Sequence, residues 1–174
     1  MIQILCVGKI KESYLNELIN DYAKRISRYH KIEIIEVKDS NMEQEAILLS
    51  KYIKPNDFVI AMALEGKMYD SVGMAKLIDN IFNSYGTIDF VIGGSYGLAD
   101  DIKKRANLLV SMSKMTFPHG LFRGILLEQI YRTFKINNNE KYVNDAIMQL
   151  NQRYNAKISV VTTLSTYNTY ISHR

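Results

Sequence analysis

Phe90-Val91-Ile92-Gly93-Gly94-Ser95-Tyr96-Gly97-Leu98 is the stretch on which the fold of this chain turns. The run from Asp89 to Ile92 is mostly apolar and partly β-branched, as in a buried strand, and it stops abruptly in three glycines spread over five positions. Glycine tolerates positive φ and leaves the backbone bare for a ligand to approach. A strand ending in such a turn at the carboxyl edge of a sheet is where open α/β folds bind nucleotide-like ligands. The spacing is Gly-Gly-x-x-Gly, not Gly-x-Gly-x-x-Gly, which counts against a standard NAD site. Read alone, an ordinary tight turn accounts for it equally well.

Outward from this turn, strands and helices alternate. Ile2 to Val7 reads as a strand closed by Gly8, and Leu15, Leu18, Ile19, Tyr22, Ala23 and Ile26 recur at helical spacing after it. Glu33 to Val37 alternates charge with apolar residues, the pattern of a strand near an edge. Asn41 is placed to cap a helix through about residue 53, which Pro55 stops. Asp57 to Ala63 follows as a strand apolar enough to be buried on both faces. A helix from Ser71 to a stop at Gly86 precedes the opening strand. Leu98 to Ala106 then suggests a short helix, Leu108 to Met112 a fifth strand, and Leu121 to Phe134 an amphipathic helix. This order predicts an α/β fold with a mostly parallel sheet flanked by helices. After Ile136 the character changes: Asn137, Asn138 and Asn139 make a polar break, followed by a helical pattern at 146–150 and a β-rich run from Lys157 to Leu164.

At 174 residues the chain is long enough for one domain with a substantial core, and its 47% hydrophobic and 23% charged residues are those of a globular protein. A formal charge of +4 leans towards an anionic partner without requiring one. The lone Cys6 lies in the first apolar run, so an intrachain disulfide is excluded and a buried structural thiol is expected. Residues 2–7 are too short for a signal core and no apolar stretch approaches membrane-spanning length, which places the protein in the cytoplasm with no membrane partner. His30, His119 and His173 are far apart and show no zinc-ligand spacing, so no metal is expected. No Gly-x-Ser-x-Gly elbow supports a serine nucleophile.

Three loops follow successive strands: Ala63 to Tyr69, Gly93 to Leu98 and Ser113 to His119. In a parallel sheet all three emerge at one carboxyl edge and converge on a shared crevice. They carry Gly, Ser, Thr, Met and Pro with few charges. Such a lining suits backbone hydrogen bonds and apolar contact with an adenosine-bearing molecule, and suits a triphosphate poorly. Glu128 and Arg132 stand at i, i+4, either as a solvated helix pair or, with Arg123 and Lys135, as basic groups near the crevice.

These residues carry a family likeness. Val7-Gly8-Lys9, Leu64-Glu65-Gly66-Lys67, the opening stretch, Ser111-Met112-Ser113-Lys114-Met115-Thr116-Phe117-Pro118-His119 and Leu127-Glu128-Gln129-Ile130-Tyr131-Arg132 come in the order and spacing of one group. Residues 1–142 closely resemble the SPOUT-class large-subunit rRNA pseudouridine methyltransferases (the RlmH group), leaving 143–174 as an atypical C-terminal extension. The resemblance implies a C-terminal part threaded into a trefoil knot, an exception to the usual rule of topology. It implies a homodimer, S-adenosylmethionine (SAM) as cofactor, and methylation at N3 of a pseudouridine in 23S rRNA within the ribosome. The cofactor positions carry over as Met62, Gly94, Ser113, Lys114, Met115, Thr116, Phe117 and Pro118. Arg123, Arg132 and Lys9 are candidates for RNA phosphates, and the apolar face of the helix from Leu121 to Phe134 is the expected dimer contact.

Two departures stand out. Met62 and Ala63 stand where relatives usually have Leu and an acidic residue. Relatives end in a Tyr-His-basic tail, whereas Tyr142 here is followed by Val143 and Asn144, and His173 and Arg174 are the candidates to take over that role near the substrate. Two alternatives remain open: a SPOUT enzyme with another RNA substrate, and a SAM- or ribosome-binding module whose catalysis is impaired by the altered tail.

Overall fold

In the computed structural model, which describes residues 1–140, five strands form one parallel sheet in the order β2-β1-β4-β3-β5. The strands are β1 (Ile2–Val7), β2 (Ile32–Val37), β3 (Phe58–Met68), β4 (Ile88–Ile92) and β5 (Leu108–Ser111). The charge-alternating β2 lies at one edge, as its pattern predicts, and the fully buried β1 and β4 are central. Between them run α1 (Ser13–Ile26), α2 (Met42–Ser50), α3 (Ser71–Phe82) and α4 (Asp100–Arg105), with α5 (His119–Asn137) following β5. The carboxamide of Asn41 accepts the Gln44 N–H at 2.9 Å and the carboxylate of Asp70 accepts the Gly73 N–H at 2.6 Å, which satisfies donors that the starts of α2 and α3 would otherwise orphan.

Period-2 alternation along the strands divides the core into two layers. Ile4, Ile60, Phe90 and Val110 face α1, α3 and α5, whereas Leu5, Val59, Ala61 and Val91 face α2 and α4. Leu126, Leu127, Ile130 and Phe134 of α5 are buried in the first layer. The apolar stripe of this helix, expected to face a second copy, is therefore covered within the chain. Gly120 and Gly124 permit the close fit: a Cβ on either would stand 2.8 Å from Leu15 or 2.7 Å from Leu18 of α1.

Element boundaries shift from expectation, as at the ends of α3 (Phe82, before Gly86) and α5 (Asn137, beyond Phe134). α2 ends at Ser50, three residues before the predicted stop, and passes into a turn in which the Asp57 carboxylate accepts the Lys54 N–H at 3.1 Å. α5 begins two residues earlier, with Phe122 N donating to Pro118 O at 2.9 Å as its first turn closes. The largest difference lies in β3, which runs on to Met68 where a loop from Ala63 is predicted. Met62 and Lys67 both pair with Val110, so residues 63–66 form a bulge inside a strand that β5 holds at both ends. The expected helical pattern at 146–150 and strand at 157–164 fall outside the described residues.

One core residue is a liability. Asp89 on β4 is fully buried, beside Gln3 in register on β1. Burial, then the Asp57 carboxylate, pushes its pKa up to about 7 against the opposing charges of Arg105 and Lys54. The folded chain thus holds this proton more tightly than the unfolded one, whose carboxyl titrates near 3.8. Stability is therefore expected to fall as pH rises through the window from about 3.8 to about 7. Asp89→Asn should abolish that fall and, by removing the buried charge, stabilise the protein at pH 8 by about 2–4 kcal/mol. Urea unfolding at pH 5 and pH 8 checks this; a variant no more stable than wild type at pH 8 contradicts it.

Candidate active site

The carboxyl ends of β3, β4 and β5 open into a cavity of about 520 Å³, within the range of small-molecule sites. β3 contributes Met62, Ala63 and Leu64, β4 and its turn contribute Ile92 to Gly97, and β5 and its loop contribute Val110 to Ser113 with Met115, Thr116 and Phe117. His119 and Phe122 of α5 complete the wall. The three regions singled out in the sequence thus meet, although the first is a strand bulge. Among the described residues no Asp, Glu, Lys or Arg lines the cavity.

Each wall has a local cause. Gly97 has φ of +85° and its N–H donates to Gly94 O at 3.0 Å, folding the glycine stretch back on itself. Gly93 must be bare because a Cβ there would stand 2.3 Å from Gly97 O. In the third loop the Ser111 hydroxyl donates to Ser113 O at 2.9 Å, and Ser113 Oγ accepts the Met115 N–H at 3.0 Å. These bonds turn the chain over the mouth. Because β5 is an edge strand and α5 starts against β1, the loop between them crosses the ends of β3 and β4.

Of the sequence-derived cofactor positions, Met62, Gly94, Ser113, Met115, Thr116 and Phe117 line the cavity, whereas Lys114 and Pro118 lie on the same loop, exposed and off the wall. Gly94 is packed closely from behind: a Cβ there would meet Glu45 and Val7. Leu64, Tyr96, Met115 and Phe117 are large, apolar or aromatic, and exposed around the mouth.

Arg123 is not a surface cation. It is 1% exposed, and its guanidinium donates to Glu36 Oε1 at 2.6 Å, to Gly8 O at 2.6 Å and to Val7 O. It fastens the start of α5 to the ends of β1 and β2, so the reading of Arg123 as a phosphate contact is corrected: the guanidinium has no open face. His119 Nε2 touches the same Val7 carbonyl and stands 2.9 Å from the Arg123 guanidinium. Arg132 donates from Nε to Glu128 Oε1 at 3.1 Å within α5, a half-buried i, i+4 pair. Lys9 is exposed beyond Gly8. His173 falls outside the described residues. Cys6 is buried and its thiol is pushed up to about 11 by burial, so it remains protonated at neutral pH and serves packing, not nucleophilic attack. Glu36 and Glu45 escaped the sequence reading, since Arg123 and Gly94, which they meet, lie far away in the chain.

Among the described residues no His, Cys, Asp and Glu side chains gather as metal ligands, and no helix is long and apolar enough to cross a membrane. Residues 1–142 match the family described as "Predicted SPOUT methyltransferase". The chain is 48% identical over 156 residues to the "Ribosomal RNA large subunit methyltransferase H" of Oenococcus oeni, an overlap covering 81% of this chain and 97% of that relative. It is 46% identical over 152 residues to the protein of the same name from Caldicellulosiruptor saccharolyticus, covering 82% and 99%. A parallel sheet whose glycine turn and 113–119 loop close over a carboxyl-edge cavity agrees with this kinship, and the chain belongs to the SPOUT methyltransferase family.

Proposed function

We propose that this protein methylates N3 of a pseudouridine in 23S rRNA of the ribosome, as a cytoplasmic homodimer that uses SAM. The observation that carries the reading is the convergence of three carboxyl-edge segments on a neutral cavity with bare glycine backbone at its centre. Nearly full-length kinship with relatives named for methylating large-subunit rRNA supports the substrate. The crossing of the 112–118 segment over β3 and β4 supports a knotted path for the C-terminal part.

The cavity's chemistry fits the cofactor. The backbone of Gly93, Gly94 and the 113–117 loop lies at the wall and suits the hydrogen-bonding edge of an adenine and ribose, while Met62, Met115 and Phe117 give apolar contact. Among the described residues no lysine or arginine stands on the wall, which disfavours a polyphosphate. When bound, SAM supplies an electrophilic methyl group for direct transfer to a ring nitrogen. The protein's task is to hold donor and acceptor in line and to exclude water. The exposed ring of Tyr96 and the side chains of Leu64 and Phe117 form a rim on which a nucleobase from an rRNA loop can stack. Lys9 and Arg132 are assigned to RNA phosphates and His173, in the extension, to accepting the N3 proton.

Calorimetric titration with SAM tests the cofactor assignment. One site per chain with a micromolar dissociation constant is expected; no heat at millimolar SAM contradicts it. Light scattering on the same sample should report twice the 20.1 kDa chain mass, and a monomer would remove the homodimer from the proposal.

A further inference from the structure

Glu45 sits on the sheet-facing side of α2 and is 5% exposed, although it carries a carboxylate. Its Oε1 accepts the Ser40 N–H at 2.9 Å, which anchors the side chain at the entry of the helix. Both carboxylate oxygens lie against the bare Cα of Gly94: a Cβ there would stand 2.9 Å from Oε2, 3.1 Å from Oε1 and 3.2 Å from Val7 Cγ1. Gly94 lines the cavity, whereas Glu45 does not. The turn is therefore one residue thick at this point, with the cavity on one side and a buried carboxylate on the other.

We propose that Glu45 is the positioning residue of the glycine turn, the group that sets where the Gly93–Gly94 backbone stands in the cavity and that makes residue 94 a glycine. A methyl group at 94 cannot displace an anchored carboxylate without cost, so it moves the turn towards the ligand. This rests on the reading of the cavity as a SAM site, but it assigns the bareness of Gly94 to packing from behind. The mechanism also separates Glu45 from an ordinary core residue. Glutamine, which keeps the shape, should serve nearly as well, and removal of the side chain should make alanine less costly at 94.

A double-mutant cycle on the full chain tests this, with SAM affinity read by calorimetry and melting temperature read without ligand. Glu45→Gln is expected within about threefold of wild type, Glu45→Ala about tenfold weaker and Gly94→Ala at least about thirtyfold weaker. Glu45→Ala with Gly94→Ala should lose far less than the two single losses multiplied, in affinity and in melting temperature, with Val7 Cγ1 at 3.2 Å as the tight contact that remains. Losses that multiply in the double variant, or a Glu45→Ala protein that binds as wild type, overturn the proposal. If wild type binds no SAM, the cofactor reading fails by itself, and the ligand-free melting cycle still decides whether Glu45 and residue 94 are coupled.

Discussion

Arg123→Met is expected to destabilise the protein by about 2–4 kcal/mol, the largest loss foreseen for a single side chain here. Glu36, whose side chain is 30% exposed, regains water when the pair is broken, so its charge is not stranded. The carbonyl of Gly8 is different: it loses its donor at a half-buried junction, at roughly 1–3 kcal/mol, while Val7 O loses one of its two partners and keeps His119 Nε2. Removal of the unpartnered Arg123 Nε returns part of this. Methionine restores the stem but not the fork, and Arg123→Lys should recover only a fraction because an ammonium cannot span Glu36 and two carbonyls with fixed geometry. A lower urea midpoint at unchanged slope is the expected record. A loss below about 1 kcal/mol would show that the junction is held by packing alone. The effect reaches the site as well, since His119 and Phe122, which close the cavity, ride on the first turn that Arg123 ties down.

Gly93→Ala is the second large effect, on binding rather than folding. The new Cβ would stand 2.3 Å from Gly97 O, 2.4 Å from Gly97 C and 2.8 Å from Leu98 N. All three are backbone atoms, so no side chain can yield; the turn must open. Opening it breaks the Gly97 N–H to Gly94 O bond and displaces the segment from Ser95 to Gly97 that forms one wall. SAM affinity should fall by about a hundredfold, equivalent to about 2.8 kcal/mol, while circular dichroism stays that of the native fold. Binding within about threefold of wild type would remove the glycine turn from the cofactor site.

Local sequence patterns carried the sheet and the site some distance. Three apolar runs became β1, β3 and β4 because a parallel strand buried on two faces has little other composition available. The meeting of the glycine turn with the 113–117 loop followed from topology, since parallel strands send their following loops to one edge. What escaped was set by distant partners. Leu64-Glu65-Gly66-Lys67 has the composition of a turn, and only β5 pairing makes it a bulge within a strand. The stripe of α5 looked outward in search of a second copy because α1 and α3, its actual cover, are invisible to a helical period. Arg123 was read as a surface cation for the same reason, its three acceptors being more than eighty residues away. Glu45 stands in a helix like any solvated glutamate, and its burial appears only once the glycine turn lies against it.

Methyl transfer to a ribosomal pseudouridine can be read by supplying the full-length protein with methyl-tritiated SAM and ribosomes that lack the modification. After digestion of the 23S rRNA, label in a single pseudouridine as its N3-methyl derivative is the expected result, and it should depend on assembled ribosomes. Label in another nucleotide or in tRNA, or SAM binding with no label incorporated at all, would contradict the account.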